Sequence, residues 1–139
     1  RRHRAHACAK VATGQGLREG HAKAAQRLRR AVAAAPEMVA GTGRFDSRVM
    51  ERLGERVFSK VGAEGVYCAA LPEKGLGVAI KMDDGNNARA SEAVMARVIE
   101  QCVGLDEGES SFMQGFSNAT LRNWNGLEIG QLRAVHFNS

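Results

Sequence analysis

The chain has 139 residues, 44% apolar and 25% charged, an ordinary globular composition that fits one domain or part of one. Its longest apolar run is far too short to cross a bilayer, and no apolar stretch follows the basic start as a secretory signal would require, so a cytoplasmic protein without a membrane partner is expected. The net charge of +5 is local: residues 1–35 hold nine Lys or Arg against the single acid Glu19, and the remaining residues hold eleven bases and fourteen acids, so no nucleic-acid partner is expected.

The basicity peaks in the RRHRAH opening. Residues 1–16 read as a truncated or processed, disordered start, and residues 17–139 as the folded part. A rival of another class is a small basic nucleic-acid-binding module on residues 1–30, whose affinity would fall steeply with salt. The lack of aromatic residues in that stretch argues against stacking on single strands. The three cysteines, Cys8, Cys68 and Cys102, show no CxxC spacing and suggest neither a disulfide framework nor a zinc site. Cys68 and Cys102 read as small core residues.

Residues 17–35 are rich in Ala, Arg and Leu, and Ala25, Leu28, Val32 and Ala35 fall at three- and four-residue spacing. That predicts an amphipathic helix with Arg27, Arg29 and Arg30 mostly outward, ended by Pro36. AGTG at residues 40–43 predicts a tight turn. Asp46 reads as the N-cap of a short helix that Gly54 stops.

Residues 57–60 suit a strand end. Residues 66–71 and 76–82 predict an antiparallel hairpin turned by Pro72, Glu73, Lys74 and Gly75. In its second strand Leu76, Val78, Ile80 and Met82 share one face, and Gly77, Ala79 and Lys81 the other, over which something is expected to pack. DDGNN breaks the strand, and Asn86 or Asn87 caps a helix over residues 88–103. Its buried rows are Val94, Val98 and Cys102 beside Met95, Ile99 and Val103, with Arg89, Glu92 and Glu100 left to solvent. GLDEGESS, residues 104–111, reads as a solvated loop. Residues 121–135 read as a last hairpin turned at residues 124–126, with Trp124 packing on it. The class is α+β, a mostly antiparallel sheet flanked by helices. One sheet face is left open, which hints at a missing partner segment.

Lys60 is the leading candidate for chemistry. It precedes VGAEG, where Gly62 and Gly65 allow close backbone approach, and a lysine amine in its neutral form can take a proton from a serine. The plain alternative is a solvated lysine at a strand end. Thr42 and Arg44 are candidate substrate-binding residues, because a Gly-x-Gly loop can turn N–H groups toward a carboxylate that Arg44 could grip in bidentate fashion. The alternative there is a turn with a surface arginine. Lys81, Asp83 and Asp84 read as a structural polar cluster. No metal ligand set is visible in this segment, the spacing of His3, His6 and Cys8 being too weak to claim one.

Taken in order, AGTGRFD at residues 40–46, SKVGAEGVY at 59–67 and GLGVAIKMDDG at 75–85 closely resemble the second half of the rhizobial-type asparaginases, the L-asparaginase II family, whose fold is like that of serine β-lactamases. The likeness covers roughly residues 17–134 and includes NGLEIG at residues 125–130. It implies an amidohydrolase that converts L-asparagine to L-aspartate and ammonia through a serine acyl-enzyme, with Lys60, followed by Gly62, Ala63 and Tyr67, matching the family's second catalytic lysine. It also implies a homodimer for the full-length protein and zinc held by a Cys-x-x-Lys motif that lies outside these residues. The family's Ser-x-x-Lys motif is not present, since no serine here is followed three places later by lysine. The expectation is therefore a C-terminal fragment, inactive alone. A glutaminase or other small-amide hydrolase of the same fold is the alternative, and a non-catalytic remnant a further one.

Overall fold

The computed structural model describes residues 5–9 and 19–137. It is an α+β fold whose main sheet has four antiparallel strands in the order β1-β4-β3-β2: β1 is Ala5–Ala9, β2 Phe58–Val61, β3 Val66–Leu71 and β4 Leu76–Met82. Both strands of the expected hairpin stand at the bounds their alternation predicts. Leu71 pairs with Leu76 across a turn of 3₁₀ form, where Gly75 takes the left-handed conformation at φ 61°. β1 pairs with β4 from Ala5 opposite Met82 to Ala9 opposite Val78. It lies in the basic opening, for which the sequence predicts no regular element.

The two sheet faces have different fates. Tyr67, Ala69, Leu71, Val78, Ile80 and Met82 are buried on one. Against them pack α3 (Phe45–Leu53), α4 (Ala90–Cys102) and α5 (Glu107–Ser117). Met95 and Ile99 of α4 are fully buried in the core, Val49 of α3 belongs to the same cluster, and Met50 of α3 is buried as well. On the opposite face Cys68, Ala79 and Lys81 are exposed. Cys68 is therefore no core residue: its odd place in the alternation of β3 turns it away from the helices.

The helix α1 (Glu19–Ala34) lies near the expected bounds, but its apolar stripe finds no tight partner. None of its residues is buried, and Leu28 is 68% exposed. A groove of about 820 Å³ separates α1 from the sheet end at Phe58, Ala70 and Leu76. Pro36 follows α1 and opens the four-residue α2 (Glu37–Ala40).

Residues 104–111 are not the loop that their polarity suggests. Asp106 caps α5 through a reciprocal capping box: its carboxylate accepts from the Glu109 N–H at 2.7 Å, and the Glu109 carboxylate accepts from the Asp106 N–H at 3.2 Å. The helix then buries Met113 and turns Phe112 and Phe116 to the core. Arg56 fastens the start of α5 by donating from Nη1 to both carboxylate oxygens of Glu109, at 2.9 and 3.0 Å. The last hairpin is present as β5 (Asn118–Arg122) and β6 (Glu128–Arg133). Trp124 at its tip is fully exposed instead of packed. No helix among the described residues is long and apolar enough to cross a membrane.

Loss of the cap should be measurable: Asp106→Ala is expected to lower unfolding stability by about 1 kcal/mol in urea titrations. An unchanged midpoint would mean that α5 does not depend on its capping box.

Candidate active site

Three segments meet where α3 begins. The AGTG turn delivers the chain into α3 with Gly41 at φ 93° and Gly43 at φ 72°, conformations that only glycine adopts readily. Ser47, fully buried, donates its hydroxyl to the Gly41 carbonyl at 2.6 Å and so fastens the turn to the first turn of the helix. Among the described residues the N–H groups of Thr42 and Gly43 donate to no acceptor. Thr42 and Arg44 are both exposed.

Asp46 does not cap the helix. Arg44 occupies the N-cap position, without a side-chain cap, and Asp46 lies inside the first turn with 1% of its surface exposed. Its Oδ1 accepts from the hydroxyls of Ser59 and Tyr67, each at 2.6 Å, and its Oδ2 accepts from the Val61 N–H at 2.9 Å. A buried carboxylate needs such donors, because without them its desolvation would cost several kcal/mol. The physical reason for the correction is periodicity. Positions 46, 49, 50 and 53 follow the i, i+3, i+4, i+7 rule, so Asp46 belongs to the stripe that α3 buries, together with Val49, Met50 and Leu53.

Lys60 stands between two residues held by that carboxylate. Ser59 turns its side chain to the core and Lys60 turns to the opposite face, directly across from Cys68. Lys60 is half-buried, and its Nζ donates to the Val61 carbonyl at 2.7 Å. The GAEG turn that follows is tightly built. A Cβ on Gly65, which has φ 73°, would come within 3.0 Å of the Met82 carbonyl oxygen, so the glycine is required there. The Gly65 N–H donates to Asn87 Oδ1, and Lys81 Nζ donates to the Glu64 carbonyl. Asp84 pairs with Arg89 at 2.8 Å and accepts from the Asn86 N–H, which makes it a structural residue of the 83–87 loop.

Asp46 thus ties the helix that follows Thr42 and Arg44 to the strand that carries Lys60, whose side chain leaves on the sheet face away from that helix. Glu92 of α4 is coupled electrostatically to Arg44 and Asp46. It is half-buried rather than left to solvent. Burial pushes its carboxyl above the usual range, the Arg44 guanidinium opposes that shift, and the charge of Asp46 adds to it. Tyr67 is driven far above the ordinary phenol range by burial, then by its hydrogen bond to Asp46 and the charge there, so it acts as a neutral donor.

This order of segments is matched by a family model. The model described as L-asparaginase II covers residues 2–134. The chain belongs to the L-asparaginase II family. The match starts at residue 2 rather than near residue 17, so the likeness of this L-asparaginase II family member reaches into the basic opening and takes in β1. No curated protein matches the chain. Among the described residues no group of three or more His, Cys, Asp or Glu could hold a metal.

Glu92 supplies a pH test of this electrostatic frame. Its folded-state value is raised above the reference of 4.5, so its stabilising contribution is complete below that value and is lost as pH rises through the folded one. Glu92→Gln is therefore expected to gain stability relative to wild type as pH rises from 4.5 through the raised folded-state value, read as the difference in unfolding midpoints. A difference that stays flat across that range would remove Glu92 from the buried cluster.

Proposed function

We propose that these residues form the lysine-bearing part of an L-asparaginase of serine β-lactamase-like fold. Membership of the L-asparaginase II family supports an amidohydrolase. The observation that carries the finer reading is Lys60, placed one residue before the end of β2 and the built GAEG turn, and flanked on both sides by residues that donate to one buried carboxylate.

The serine comes from outside these residues. Its Oγ attacks the carbonyl carbon of the asparagine side-chain amide, and Lys60 helps relay its proton to the departing nitrogen, which leaves as ammonia. Water then cleaves the acyl ester and releases aspartate. Lys60 in its protonated form stabilises negative charge near the reacting carbonyl. Thr42 and Arg44 receive the substrate's α-carboxylate. The unengaged N–H groups of Thr42 and Gly43 and the exposed guanidinium favour that role.

The test is ammonia release from L-asparagine by the full-length polypeptide, by its Lys60→Ala variant and by residues 1–139 alone. Lys60→Ala is expected to lower kcat by roughly 10²- to 10⁴-fold with folding intact, and the 139-residue chain to release none. Undiminished turnover in Lys60→Ala would make the residue a bystander. Equal turnover of L-glutamine would move the substrate to small amides in general.

A further inference from the structure

Asp46 is a buried carboxylate that accepts three hydrogen bonds, and the reaction as written above gives it no part. Its three donors are unevenly distributed. Two of them, the Ser59 hydroxyl and the Val61 N–H, belong to β2 and stand immediately before and after Lys60. The third, the Tyr67 hydroxyl, belongs to β3. One carboxylate on α3 therefore holds the strand at both neighbours of the lysine, from the helix that the substrate-binding turn leads into. The lysine adds a contact of its own, from Nζ to the Val61 carbonyl.

We propose that Asp46 is the positioning residue for Lys60: by bonding Ser59 and Val61 it sets the angle at which the lysine side chain leaves β2, and by lying on α3 it fixes that angle relative to Thr42 and Arg44. The proposal rests on the catalytic role assigned to Lys60. Asp46 touches neither substrate nor reacting atoms, and its effect passes through the lysine alone. A carboxylate suits the task better than an amide of the same shape, since it can accept all three donors at once, whereas an amide nitrogen presents hydrogens toward one of them.

The test is a double-mutant cycle in the full-length polypeptide, with L-asparagine turnover expressed per folded molecule from urea unfolding curves. Asp46→Asn is expected to lower kcat by roughly 10- to 100-fold and to leave KM within about twofold, the pattern of a misaligned group that acts after binding. In a Lys60→Ala background the same substitution should change kcat by less than about twofold, because the lysine it positions is gone. An independent loss of full size in that background overturns the proposal, and so does wild-type kcat in Asp46→Asn. Full activity in Lys60→Ala instead removes the catalytic reading itself, a separate outcome.

Two further variants keep the test decisive if Asp46→Asn does not fold. Ser59→Ala removes one tether beside the lysine and should lower kcat by about 3- to 10-fold, again with no effect in the Lys60→Ala background. Tyr67→Phe removes the donor that is not on β2, and should keep kcat within about twofold of wild type. If Tyr67→Phe loses as much activity as Ser59→Ala, the carboxylate merely supports the core and the proposal falls.

Discussion

A carboxylate with 1% of its surface exposed governs how this molecule is assembled. Asp46 cannot sit among Val49, Met50 and Leu53 unless donors meet it there, and those donors come from two different strands. The requirement sets how α3 lies on the sheet. It decides that Ser59 faces the core, and the alternation of β2 then sends Lys60 to the other face. Apolar packing could hold α3 against the sheet in several orientations of similar area. Three hydrogen bonds to one group at 2.6 to 2.9 Å admit far fewer.

The remainder of the core is built from less specific forces. Met95 and Ile99 from α4 and Ile80 and Met82 from β4 make its centre. Phe45 joins the outer layer by edge-to-face contacts with Tyr67 and Phe116, at 5.8 and 4.9 Å between ring centres. Arg48 lies over the Phe116 ring at 4.9 Å and closes the cluster from outside. All of this covers one side of the sheet. The other side carries small residues, an exposed thiol and two lysines, and α1 stands off from it across a groove.

Most of the regular elements were legible in the sequence because their patterns depend on local periodicity. The strict alternation of Leu76, Val78, Ile80 and Met82 leaves little choice of register, and the doubled apolar rows of α4 leave little choice of face. The failures have a common cause, which is that polarity was read as exposure. Asp46 has the residue type of a cap but the spacing of a core position. DEGES, residues 106–110, has the composition of a loop, while its Asp-x-x-Glu spacing is that of a helix start. Glu92 is charged and yet half-buried. The opposite error occurred at Trp124, Leu28 and Cys68, where an apolar or buried-prone type was read as burial and the structure leaves it in solvent. Of the candidate site, Lys60, Thr42 and Arg44 were legible as isolated residues. The carboxylate that ties α3 to both neighbours of Lys60 was not, because its partners lie 13 to 21 positions away along the chain.

β2 ends the four-stranded sheet, and such a strand offers its outward backbone groups to any passing chain. At Val61 that offer is withdrawn from both sides. The N–H is taken by Asp46 and the carbonyl by the amine of Lys60, so side chains of opposite charge stand where a neighbouring strand would dock. The same two residues that organise the candidate site thereby blunt an aggregation edge.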